Sequence, residues 1–160
     1  VRIKGITDED FVNYKLPSMY ICTCFCDFKC DKESGASCCQ NSSLAKQSII
    51  SVSDDEIIMR YIQNPITKAI VFAGLEPFEQ FTELYTFVRN LRNQYHCYDT
   101  VVIYTGFNKE EISPLLIESL SEYPNIIIKF GRFVPNRDSH YDDVLGIYLA
   151  SPNQYAEVIS

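Results

Sequence analysis

The chain reads as an α/β protein built on a parallel sheet. Two patterns point there: short segments apolar on both faces, which suit strands covered from both sides, and amphipathic segments between them that carry helix-capping residues. Thr100-Val-Val-Ile-Tyr-Thr105 shows the first pattern. Phe81, Leu84, Val88 and Leu91, at i, i+3, i+7 and i+10, show the second. Strand, helix and strand in alternation imply right-handed βαβ units. A closed eight-stranded barrel takes about 250 residues, so a chain of 160 supplies part of one. The predicted architecture is a partial, open β/α barrel, taken as one domain over residues 1–160.

The elements follow in order. Met19 to Thr23 reads as a short strand that leads into a cysteine loop ending near Lys46. Ser53-Asp-Asp-Glu56 is a capping-box pattern, and Ile57, Ile58 and Tyr61 form the apolar side of a helix that stops before Asn64-Pro65. Ala69 to Ala73 is the next strand. After Gly74-Leu-Glu-Pro77 comes the helix around Phe81 to Leu91, then the strand Thr100 to Thr105. Helical signals resume from Asn108 to about Glu122, with a restart at Ser113-Pro114, because an interior proline breaks a helix. Ile126-Ile-Ile128 is a fourth strand.

Composition excludes several classes. A net charge of -7 with dispersed Lys and Arg argues against an electrostatic hold on nucleic acid or an anionic membrane. No apolar run approaches the roughly 20 residues of a membrane span, and Val1 to Gly5 lacks the apolar core of a signal peptide. The expected compartment is the cytoplasm.

Cysteine placement carries the chemistry. Six of the seven cysteines lie between residues 22 and 39, and only Cys97 lies outside. A secreted disulfide scaffold would spread them along the chain; a concentrated set fits a metal or iron-sulfur site. Cys26-Asp-Phe-Lys-Cys30 with Cys39 can bring three thiolates round one cluster. Two alternatives stay open on spacing alone: structural zinc held by Cys22, Cys24, Cys26 and Cys30 in a binding module without catalysis, and free or paired thiols. In a parallel sheet the cysteine loop, Gly74 to Pro77 and Thr105-Gly106 converge at the carboxyl ends of the strands, where ligands bind. Gly74 allows close backbone approach and Glu76 suits a cationic group, though the segment reads equally as a strand end followed by a helix start at Pro77.

Cys26-Asp-Phe-Lys-Cys30 and Cys39-Gln-Asn41 resemble the cluster loop of the radical S-adenosylmethionine (radical SAM) enzymes. The rest resembles their subgroup that activates the anaerobic ribonucleotide reductase. Ala73-Gly-Leu-Glu-Pro77 stands in place of its Gly-Gly-Glu-Pro motif, and Ile103-Tyr-Thr-Gly-Phe107 is similar to its Tyr-Thr-Gly-Tyr segment. Gly131-Arg-Phe133 and Ala150-Ser-Pro-Asn-Gln154 resemble its Gly-Arg-Phe and Gly-Ser-X-Asn-Gln signatures.

The resemblance implies an open barrel of the radical SAM type and a [4Fe-4S] cluster on Cys26, Cys30 and Cys39. The remaining iron would chelate S-adenosylmethionine, near Phe28, Asn41, Gly74, Glu76 and Thr105. Reductive cleavage to a 5'-deoxyadenosyl radical would then set a glycyl radical on a partner such as the anaerobic reductase, with electrons from a reduced flavodoxin- or ferredoxin-like donor. The same cleavage applied to another substrate is the rival within this chemistry. Arg132 is expected to face a carboxylate or to be a solvated surface residue. The chain departs from the pattern in one respect: the family spaces its cysteines C-x3-C-x2-C, whereas eight residues separate Cys30 from Cys39 here. Cys39 is preferred to Cys38 because Asn41 then matches the asparagine after the family's last cysteine.

Overall fold

The computed structural model describes residues 1–160. Its strands are β1 (Arg2–Ile3), β2 (Gly5–Asp10), β3 (Ser18–Thr23), β4 (Ile50–Ser51), β5 (Ala69–Gly74), β6 (Thr100–Tyr104), β7 (Ile126–Phe130), β8 (His140–Asp142), β9 (Ile147–Leu149) and β10 (Tyr155–Val158). The helices are α1 (Lys29–Ser34), α2 (Ser42–Ala45), α3 (Asp54–Gln63), α4 (Phe81–Asn93) and α5 (Pro114–Ser121), with single 3-10 turns at Pro77–Gln80 and Lys109–Glu111. The chain is a mixed α/β protein with a mostly parallel central sheet. That sheet has six strands in the order β10-β7-β6-β5-β3-β2. Neighbours among β3, β5, β6 and β7 run parallel, while β2 and β10 pair antiparallel at the two edges.

Local chemistry sets the helix bounds. The Ser53 hydroxyl accepts the Glu56 N–H at 3.2 Å, and three acidic residues in the first turn of α3 favour the positive end of its dipole. The expected interruption before Pro114 is real: the Asn108 N–H donates to the Glu111 carboxylate at 2.8 Å, which closes the Lys109–Glu111 turn before α5 restarts with proline at its head.

The two faces of the sheet are covered differently, which the alternation of strands and helices did not reveal. One face packs Ile21, Ile70, Phe72, Val101, Ile103 and Ile128 against Ile57, Ile58 and Tyr61 of α3, Leu84, Phe87, Val88 and Leu91 of α4, and Leu120 of α5. Side chains of this size contribute about 1.5–3 kcal/mol each when fully buried, so this layer carries most of the stability. The other face bears Ala69, Val71, Ala73, Val102 and Ile127 and has no helix on it. Its cover is Tyr14 with Leu145 and Leu149 around the β8–β9 hairpin. The Lys15 N–H donates to the Leu145 carbonyl at 2.8 Å, and the Tyr104 hydroxyl donates to the Asn13 carbonyl.

Candidate functional site

The helix-free face opens, at the carboxyl ends of the parallel strands, into a cavity of about 300 Å³. This is the lower end of the range for small-molecule sites. Cys26, Cys30, Cys39, Asn41, Gly74, Glu76 and Thr105 all line it. The structure thus brings together seven of the eight residues that the sequence nominated.

The long gap between Cys30 and Cys39 is taken up by local folding. Residues 29–34 coil into α1, and Gly35, left-handed at φ 67°, ends it. One oxygen of Asp31 then accepts the N–H groups of both Cys38 (2.8 Å) and Cys39 (2.7 Å). A single carboxylate therefore folds the insertion back on itself, so that Cys39 returns beside Cys30. Burial first, then the neighbouring Cys39 thiol, pushes the Cys30 thiol up to about 12. The Cys26 thiol is also raised by burial, although the Phe28 N–H donates to its sulfur at 3.3 Å and opposes the shift. Thiols with raised pKa stay protonated near neutral pH and ionise when a cationic centre takes up the thiolates. That donor set fits an iron-sulfur cluster.

Two hydrogen bonds fasten this loop to the end of β5. The Asn41 amide donates to the Gly74 carbonyl at 2.6 Å, and the Glu76 N–H donates to the Phe25 carbonyl at 2.6 Å. Gly74 has φ 93°, and a side chain there would meet Leu44 of α2 at 2.9 Å and Cys22 at 3.1 Å. Glycine is required by both conformation and space.

Glu76 is 4% exposed. One oxygen accepts the Phe78 N–H at 3.1 Å, capping the turn that Pro77 begins, and the other accepts the Gly106 N–H at 2.8 Å. Both sequence readings of Gly74 to Pro77 therefore hold at once: the segment starts a helix and also aims a carboxylate at the cavity. Burial raises Glu76 to about 7 against these bonds and one from Thr105. Each carboxylate oxygen has a second lone pair available for a cation.

Several expectations need correction. Phe28 is not among the cavity-lining residues; it is left-handed (φ 55°) at the start of α1. Arg132, which lines the cavity, is not a solvated surface residue. It is 7% exposed, pairs with Glu111 at 2.5 Å, and has Glu33 at 3.4 Å. The zinc quartet does not assemble. The one set of three or more His, Cys, Asp or Glu ligand atoms within 4.8 Å of one another is Cys30, Asp31 and Cys38. Cys24 instead sits by the helical layer, its N–H donating to Gln80 at 2.8 Å, and Cys22 lies under Gly74. His96 and His140 do not line the cavity.

The two C-terminal motifs meet each other. Gly131 has φ 98°, with Asn153 against the space a side chain would fill. Asn153 donates to the Arg132 carbonyl at 2.9 Å and Gln154 to the Gly131 carbonyl at 3.3 Å. Both segments thus brace the far wall of the cavity. Sequence reading missed Asp31, Tyr20, Tyr104 and Lys129. The last had a legible signal, a lysine inside the apolar run Ile126 to Phe130.

Comparisons agree with the thiol site. Neither curated proteins nor solved structures gave a match. The family described as a 4Fe-4S single cluster domain matches residues 19–148, which run from β3 through the cysteine loop and the parallel strands into β9. The match covers well over half of the chain, and the protein belongs to the 4Fe-4S single cluster domain family.

Proposed function

We propose that this 4Fe-4S protein is a radical SAM enzyme. The observation that supports this reading is the convergence of Cys26, Cys30 and Cys39 with Asn41, Gly74, Glu76 and Thr105 on one cavity. Three thiols, a strand-end glycine and a buried carboxylate are the donors that a cluster and a cofactor with a cationic amino group need. The four parallel strands also lie in chain order with their helices on one face. That winding supports the barrel fragment this reading calls for.

In this reading Cys26, Cys30 and Cys39 hold the cluster, and Asn41 and Gly74 fix the loop against β5. Glu76 accepts from the ammonium of S-adenosylmethionine, and Thr105 stands at the neighbouring strand end. When bound, the cluster supplies the electron that splits the sulfonium into methionine and a 5'-deoxyadenosyl radical. The chain orients the cofactor and shields it from water. The radical's target is a glycine of a partner of the anaerobic ribonucleotide reductase type, with a reduced flavodoxin or ferredoxin as donor. A cavity of about 300 Å³, with little room for a substrate beside the cofactor, suits a substrate presented by another protein in the cytoplasm.

The test is anaerobic purification, quantification of iron and sulfide, and measurement of 5'-deoxyadenosine formed from S-adenosylmethionine with and without reductant. Reductant-dependent product at about four irons per chain is expected. A fully loaded protein that makes none refutes the proposal.

A further inference from the structure

The cavity contains a cation that the chain does not neutralise. Lys129 sits at the carboxyl end of β7 on the helix-free face, beside Tyr104 in the sheet register. It is 6% exposed. None of the chain's ion pairs involves it. An ammonium has three donors, and the one acceptor the chain offers is the Gly131 carbonyl at 2.7 Å. The Tyr104 ring lies 5.7 Å away, close enough to favour the charge and too weak to replace a counter-ion. A buried charge without a partner is costly. Lys129 therefore has the features of a group whose partner arrives with the ligand.

The chemistry of that partner is limited by what surrounds it. Glu76 lines the same cavity beyond ion-pair distance and acts on Lys129 only at long range. The cavity's other two cations, Lys29 and Arg132, are already paired with Asp27, Glu111 and Glu33, so a single unpaired cation with a carboxylate across the cavity suits a monoanion better than a phosphate, which would call for more free donors. We infer that Lys129 is a carboxylate-binding residue, and that with Glu76 it makes the cavity selective for ligands carrying a carboxylate and an ammonium together. This rests on the reading above only for the source of the carboxylate: S-adenosylmethionine itself, or a separate acid bound beside it.

The experiment titrates the cluster-loaded protein anaerobically with S-adenosylmethionine, 5'-methylthioadenosine and acetate. Calorimetry is run on the wild type, Lys129→Met and Lys129→Arg. The Lys129 side-chain NMR signal, assigned by its loss in Lys129→Arg, is followed in the wild type. A cofactor carboxylate on Lys129 weakens S-adenosylmethionine binding about tenfold or more in Lys129→Met. Lys129→Arg retains binding, and 5'-methylthioadenosine, which lacks the amino acid, is unaffected. If S-adenosylmethionine binds all three forms equally and acetate still moves the Lys129 signal, the carboxylate comes from a second molecule. If S-adenosylmethionine binds none while acetate moves the signal, the radical SAM reading falls and the carboxylate site stands. An unmoved Lys129 signal with both S-adenosylmethionine and acetate overturns the inference, and needs no folded Met variant to observe.

Discussion

Replacing Glu76 with Gln tests whether its carboxyl is held as the buried geometry requires. In the fold its pKa rises from 4.5 to about 7, chiefly through burial. Below pH 4.5 both the folded and the unfolded chain carry the proton, and the contribution to stability is complete. Between 4.5 and 7 only the folded chain keeps it, so stability falls by about 1.4 kcal/mol per pH unit. Above 7 both states are ionised and the loss, about 3 kcal/mol in all, is finished. Glutamine does not titrate. The stability difference between Glu76→Gln and the wild type should therefore move by about 3 kcal/mol in favour of the variant as pH rises from 4.5 to 8. Urea unfolding of the metal-free proteins at half-unit pH steps, followed by circular dichroism, reads this difference. The two Gln donors also face the Gly106 N–H, a constant offset that cancels from the pH dependence. A difference flat with pH, or one growing in favour of the wild type, would falsify the burial argument.

Three further outcomes follow from the structure. Cys39→Ala should lose the cluster and Cys38→Ala should keep it, because Cys39 lines the cavity and Cys38 does not; iron and sulfide analysis decides, and the opposite pattern means that the close Cys30–Cys38 pairing is the ligating one. Gly74→Ala should cost about 1–3 kcal/mol through its left-handed backbone and push Leu44 aside, which a lowered melting temperature together with reduced iron retention would show. Arg92→Leu should destabilise by about 3 kcal/mol while leaving iron content unchanged, since Arg92 is 2% exposed and donates to the carbonyls of Cys97, Asp99 and Pro124, none of which lines the cavity.

The parallel strands and α3 to α5 were legible because each is set by local pattern: Ser53 marks the start of α3, Pro114 the start of α5, and apolar runs mark β5, β6 and β7. The edge strands were not. Gly5-Ile-Thr-Asp-Glu-Asp10 is polar and pairs along one side only, so neither hydrophobicity nor alternation betrays it. The cover on the second face was hidden for a related reason. Tyr14, Leu145 and Leu149 are far apart in sequence and meet only through the tertiary contacts of Lys15 with Leu145 and Tyr104 with Asn13. In the site, cysteines, glycine and glutamate were readable as residue types with known chemistry. Asp31 was not, because its work is to accept two amides that only the folded insertion brings together. The burial of Arg132 was not legible either, because its partners, Glu33 and Glu111, lie on separate segments.

The uneven covering of the sheet accounts for both stability and site in so short a chain. Large side chains of α3, α4 and α5 are concentrated on one face, where they can be fully buried without reference to a ligand. On the opposite face Ala69, Val71 and Val102 lie buried with Tyr14, Leu145 and Leu149, while Ala73, at the strand end, lines the cavity and is small enough to leave space above it. Lengthening that side chain would fill part of the cavity. Keeping it short has a cost, because polar groups that enter the space must be satisfied. Glu76 meets that requirement through the N–H groups of Phe78 and Gly106. Lys129 meets it only in part, and this shortfall sets the two apart: Glu76 is prepared for a ligand that adds to its bonds, whereas Lys129 is prepared for one that completes them.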